Sequence, residues 1–282
     1  MIHMVKKRVR SAIFHALCLL FGLTGLYPVF WLIASSFKAS NKVFVDAYNL
    51  FPYPLHWDNY IRGWKGFGGL TFGVFFKNSF FVVLLTVLGT LFSSSLIAYG
   101  FTRQKFRFRN FWFITVMITM MLPSEIIMIP QYIIFHKLHL TNTYVPLILP
   151  AYLGGAFFIF LIMQFIRGIP YELDEAAKLD GCNSFQIYYK ILLPLIVPAL
   201  ITCGIFQFYW SWDNFLGPLI YLGKPELYTI SVALKNFADP SSQTDYGAMF
   251  AMSVLSIIPP MVVFFVFQKY IVEGISTSGL KA

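Results

Sequence analysis

Six apolar runs, near 12–37, 78–101, 111–135, 144–166, 195–222 and 246–268, dictate what this chain can fold into. Each approaches or exceeds the roughly 20 residues that an α-helix needs to cross a bilayer's hydrocarbon core. In that layer every backbone N–H and C=O must be satisfied from within, and a helix does so unaided. The expected fold is therefore all-α, a polytopic membrane protein with about six transmembrane helices. Charge agrees, because only 12% of the 282 residues are charged, against about 25% in a typical soluble domain. A net charge of +9 would fit a nucleic-acid binder, yet the cations flank apolar runs instead of forming one basic surface, so nucleic acid is set aside.

The same cations set the orientation. The short segment Thr102–Asn110 carries Arg103, Lys105, Arg107 and Arg109, and short basic loops stay on the cytoplasmic side. Six spans then place both termini in the cytoplasm. Residues 1–73 are read as an N-terminal cytoplasmic segment, a retained first span and an outer loop whose aromatics suit the membrane interface. Residues 74–272 form a core of five spans with a cytoplasmic loop at 167–194, and 273–282 form a small polar cytoplasmic tail that reads as a frayed end. Cys18, Cys182 and Cys203 lack paired spacing, which argues for neither a disulfide framework nor a zinc site.

The loop 167–194 is the one long mixed-charge, helix-compatible segment between two apolar runs. Pro170 suits the first position of a helix, where its missing N–H is not needed. Glu172, Asp174 and Glu175 crowd the first turns, where the helix dipole favours acids. Ala176, Ala177 and Leu179 propagate the helix, and Gly181 can close it in the left-handed conformation. Asn183, with Gln186 three residues on, forms a capping box for a second helix running through Tyr188 and Lys190 towards Pro194. The expectation is a helix–turn–helix at the membrane surface. Its small alanines leave room for a soluble partner, and its acids supply charge for docking.

The pattern E-A-A, three residues, G, nine residues, I-x-L-P is filled by Glu175, Ala176, Ala177, Gly181, Ile191, Leu193 and Pro194. It resembles the coupling loop of ABC importer permeases. Similarity to sugar-importer permeases of the maltose-permease type extends from about Pro28 to the C-terminus, through Trp210–Leu216 and Gln268–Gly274. The resemblance implies a type I importer permease in a bacterial cytoplasmic (inner) membrane. It further implies a second homologous permease, two ATPase subunits that hold ATP and magnesium, and an extracytoplasmic sugar-binding protein. The seven motif residues would couple the spans to the ATPases, and the tail is a second, weaker contact candidate.

This chain carries no nucleotide machinery of its own. The nearest approach to a phosphate-binding loop, Gly217 to Gly223-Lys224, has one residue too many and runs into Pro225. No zinc-protease or serine-hydrolase signature is present either, and His136 and His139 read as interfacial residues, so neither enzyme chemistry nor a metal site is expected. Polar groups within the spans are the candidates for a substrate pathway. Trp210, Asp213 and Asn214 alternate aromatic faces with hydroxyl-binding groups, which suits a carbohydrate. The same residues also suit an interfacial belt with Asp213 in water. Glu125 and Gln131, beside Pro123 and Pro130, form a second cluster that fits ligand contact, a gate or a structural role. An ion- or proton-coupled secondary transporter is the alternative, with Glu125 as its carboxylate.

Overall fold

The structure is a computed structural model that describes the backbone of residues 2–237 and 245–279, and side chains within 11–237 and 245–270 apart from residue 12. In chain order the helices are α1 (Ile2–Ser36), α2 (Asp58–Lys65), α3 (Phe72–Arg103), α4 (Arg109–Thr119), α5 (Ser124–Lys137), α6 (Val145–Ile148) and α7 (Ala156–Arg167). There follow α8 (Glu172–Leu179), α9 (Ser184–Gln186), α10 (Leu193–Leu195), α11 (Val197–Trp212), α12 (Leu216–Tyr221), α13 (Ile230–Asn236) and α14 (Tyr246–Gly279). No strand occurs among the described residues. Four spans are long and apolar enough to cross a membrane as they stand, and up to six if each of two bent helix pairs counts as one.

Three of the six apolar runs are broken within their length. The run 111–135 is α4 and α5, bent by 101° where Pro123 precedes α5. The run 144–166 is α6, a 3-10 turn over Leu149–Leu153, and α7, separated by Gly154 at φ +94°. The run 195–222 is α11 and α12, which part at Asp213 and Asn214. Proline lacks an N–H and disfavours helical backbone on the residue before it, which accounts for the break ahead of Pro123, and Gly154 supplies the left-handed backbone of the second. In the opposite direction, the tail expected to fray continues α14 through Gly279, since nothing after Pro260 stops a helix more strongly than one glycine. Leu280 to Ala282 lie outside the described residues.

Two compact units emerge. The first comprises Met1–Phe72 and Leu234–Ile257. Its framework is polar: the buried Asn59 amide donates to the Ser36 and Lys38 carbonyls, both at 2.8 Å. Asp245 caps α14 by accepting from the Ala248 N–H at 3.0 Å, and pairs with Arg62 at 2.8 Å. Burial would raise the Asp245 pKa, but the Arg62 guanidinium, the Ala248 amide and the Ser40 hydroxyl together hold it below the usual carboxylate range.

The second unit comprises Gly73–Ala233 and Ile258–Ala282. Its core joins Ala98, Tyr99 and Phe101 of α3, Ile162 and Ile166 of α7, and Ile187 and Leu192. The small-residue face of α3 meets the irregular stretch 149–155. A Cβ on Gly89 would lie 2.4 Å from the Tyr152 ring, and Ser93 Oγ lies 2.8 Å from the Ala151 carbonyl.

Candidate functional site

The loop 167–194 folds as the sequence requires, with two adjustments. α8 begins at Glu172, and Pro170 lies just ahead of it because the first helical bonds, from the Asp174 and Glu175 amides, go to the Tyr171 carbonyl at 3.0 and 3.2 Å. Gly181 has φ +81°, the left-handed value expected of a helix-ending glycine. No atom lies within 4 Å of where its Cβ would be. The Asn183–Gln186 capping box is present in both directions, at 2.8 and 2.9 Å. Beyond it the helix does not stay α: Ile187–Leu192 is π-helical before α10 resumes at Leu193.

α8 is two-faced, and this divides the motif. Glu175, Ala176, Leu179 and Gly181 face outward, with Leu179 90% exposed. Phe185, on α9, is also exposed. Ala177 and Asp174, three residues apart, share the buried face. Ala177 packs into the core with Ile166, Ile187 and Leu192, so only one of the two alanines offers space to a partner. Asp174 is not a docking charge. It is 3% exposed and stands 3.6 Å from Arg103, itself 7% exposed, at the end of α3. Burial raises the Asp174 pKa above its ordinary value although Arg103 and Lys178 pull it down. Further along the motif, Ile191 and Leu193 are half-buried, while Pro194 is exposed.

Sequence reasoning passed over Arg103 as a bonding residue, reading it only as an orientation charge. Its Nη2 donates to the Ile166 and Ile169 carbonyls at 3.2 and 2.7 Å, and its guanidinium lies over the Tyr171 ring at 5.3 Å from the centroid. Tyr99 and Ser95 of α3 add bonds to the Ser184 carbonyl and the Tyr188 hydroxyl, both 2.8 Å. The available signal was Asp174 itself, an acid placed on the same helical face as the buried Ala177.

The pathway candidates fall into two groups at span breaks, and no hydrogen bond or ring contact joins them among the described residues. Trp210 is about half exposed and packs on Phe157 and Phe158, with ring centroids at 5.2 and 5.1 Å. Asp213 is exposed at the end of α11. Asn214 accepts from the Gly217 N–H at 3.1 Å, and so is occupied in opening α12. Glu125 is exposed and accepts from Ser124 at 2.9 Å, and Gln131 is half-buried on α5. Asn214 also borders a cavity of about 20 Å³, room for one water and no sugar. A larger cavity of about 530 Å³ is lined by apolar side chains such as Phe80, Leu84, Leu91, Ile201 and Phe208. It offers hydroxyls nothing to bond.

Residues 92–277 match the family described as binding-protein-dependent transport system inner membrane component. The chain belongs to that family. It is 37% identical over 90% of its length to the probable ABC transporter permease protein YurM of Bacillus subtilis (strain 168), covering 83% of that protein. It is 36% identical to the arabinooligosaccharides transport system permease protein AraQ of the same organism, covering 93% of each chain. Among solved structures, a bacterial ABC transporter involved in the import of the acidic polysaccharide alginate superposes with a TM-score of 0.79 at 24% identity, over 93% of this chain and 96% of that one. At that identity the likeness speaks for the fold. This permease is thus a multi-pass membrane subunit of an ABC importer.

Proposed function

We propose that this permease is one of two homologous transmembrane subunits that move a sugar or oligosaccharide into the cytoplasm by alternating access, and that the outer face of α8 is where an ATPase subunit docks. The observation that carries the docking assignment is the exposed apolar and acidic face formed by Leu179, Glu175 and Ala176 beside the open turn at Gly181. With Phe185 also exposed on α9, Leu179 gives this charged loop more than one large apolar side chain in water, which supports a partner that covers them. The oligosaccharide class is supported by the arabinooligosaccharide permeases to which the chain is similar. ATP and magnesium belong to the two ATPase subunits, and an extracytoplasmic binding protein delivers the substrate. Both termini lie in the cytoplasm in this reading.

The physical sequence is short. Closure of the ATPases displaces the docked α8. Ala177, Ile187 and Leu192 tie it to the core of its unit, so the displacement reaches the spans as a rigid-body movement. The substrate pathway draws on Trp210 and Asp213, with Asn214, Glu125 and Gln131 as weaker contributors. The partner permease supplies further polar contacts, since the large cavity in this chain has none. An ion-coupled carrier would bury its coupling carboxylate, whereas Glu125 is exposed.

Glu175→Lys tests the reading. Reversed charge at a docking surface costs several kcal/mol, while insertion depends on the apolar spans. The variant should reach the membrane in near-normal amounts, lose ATP-dependent uptake, and release the ATPases on purification or let them hydrolyse ATP without response to the loaded binding protein. Normal uptake and stimulated hydrolysis would overturn the assignment.

A further inference from the structure

An arginine ending a membrane helix ordinarily extends its charged head into water. Arg103 does the reverse, folding under the loop until 7% of its side chain remains exposed. There it touches three parts of the chain at once. It donates to the Ile166 and Ile169 carbonyls at the end of α7, lies over the Tyr171 ring at the entry to α8, and faces Asp174 within α8. Its position at the C-terminus of α3 is electrostatically favourable, since the helix's negative end attracts a cation.

As a source of stability the arrangement is poor. The contact with Asp174 is 3.6 Å, too long for a hydrogen bond, and both Arg103 Nε and Asp174 Oδ1 lack a partner. A buried ion pair left partly unbonded repays little of its desolvation cost. What it fixes is position. α8 is joined through the chain to α7 on one side and α9 on the other, but nothing covalent near it reaches α3. Beside the apolar core that Ala177 shares with Ala98, Tyr99 and Phe101, Arg103 supplies the polar connection from α3 to α8, and Tyr99 and Ser95 extend it to Ser184 and Tyr188.

We infer that Arg103 and Asp174 form the clamp that makes α3 move with α8, so that displacement of the docking helix reaches α3 directly and not only through α7. This rests on the proposed docking of an ATPase at α8. Arg103 is a positioning residue in this scheme, touching neither substrate nor nucleotide.

The test uses the complete importer, with its partner permease and ATPases, in proteoliposomes supplied with the binding protein and a neutral oligosaccharide that the wild-type complex imports. Three variants are compared: Arg103→Met, Asp174→Leu and the double substitution. Each single variant leaves one buried charge alone and should lower the amount of assembled complex. The double variant removes both charges and should restore that amount to within twofold of wild type. Uptake per ATP hydrolysed should nevertheless stay at least tenfold down in all three, because none has the clamp. If the double variant regains both assembly and uptake per ATP, or the single variants lose assembly but keep that ratio, the pair is structural and the inference falls. Failure of the underlying reading looks different: Glu175→Lys on the outer face of α8 would then keep both ATPase co-purification and ATP-dependent uptake.

Discussion

Replacing Gly181 separates two reasons for a glycine at the end of α8. One is conformational: at φ +81° an ordinary residue pays about 1–2 kcal/mol for left-handed backbone, a factor of roughly 5–30 in the population of the correct turn. The other is room for a partner. Within the chain room is not limiting, because no atom lies within 4 Å of a Cβ built there. The turn is also held from both sides, by the Cys182 amide on the Ala177 carbonyl at 2.9 Å and by the Asn183–Gln186 box. Gly181→Ala should therefore fold with a modest penalty, and Gly181→Asn with less, since asparagine tolerates left-handed backbone. If the bare backbone meets an ATPase surface, both variants should reach the membrane at near-normal levels and lose uptake at least tenfold. Quantitative blotting of membranes, ATPase co-purification and transport of a labelled oligosaccharide measure the three quantities. Normal uptake by the Asn variant would show that backbone conformation alone requires the glycine, refuting close contact there.

Cysteines introduced at Asn110 and Ser184 should be labelled by an impermeant reagent only from the cytoplasm, and one at Asn236 only from outside; labelling at 184 from outside would reverse the topology. Asp213→Ala should weaken apparent substrate affinity by about 1–3 kcal/mol with assembly intact, and Trp210→Ala should do likewise while also loosening its ring cluster on Phe157 and Phe158. Unchanged uptake kinetics in both would return the segment to an interfacial belt. Gly89→Val should overpack α3 against the Tyr152 ring, 2.4 Å from the nearest Cβ position, at a cost of about 1–3 kcal/mol. Adding Tyr152→Ala should recover much of the lost membrane protein; no recovery would mean that some other contact sets the need for glycine.

Features controlled by neighbours in sequence were legible from it. Gly181, the Asn183–Gln186 box and the apolar spans are local properties of spacing and residue type, and the structure has them where the chain places them. What depended on distant residues was not. Asp174 looked like a helix-dipole acid because its partner, Arg103, lies some 70 residues earlier; only tertiary packing distinguishes a solvated acid from a buried one. The two alanines of the motif look identical in sequence, yet helical phase puts Ala177 in the core and Ala176 in solvent. The π-helical turn at Ile187–Leu192 had no composition signal; it lets Ile187 and Leu192, five residues apart and on different faces of an α-helix, both reach the core. Pro123 marks the break between α4 and α5, but that break's 101° bend, like the 75° bend between the stretch Ser184–Leu195 and α11, depends on which neighbours satisfy the freed backbone.

The contact between α3 and the stretch 149–155 has a consequence for how the protein is made. In hydrocarbon, an open carbonyl or amide costs several kcal/mol. Part of what the irregular stretch needs comes from elsewhere in the chain: Ser93 Oγ lies within hydrogen-bonding reach of the Ala151 carbonyl, and Ser94 Oγ accepts the Gly155 N–H at 3.4 Å. This span is consequently a poor candidate for entering the bilayer alone. Synthesis runs from the N-terminus, so α3 leaves the ribosome some 50 residues ahead of the segment that needs it. The order of the genetic message thus delivers the hydrogen-bonding partner first, and the broken span is received by a surface already waiting beside it.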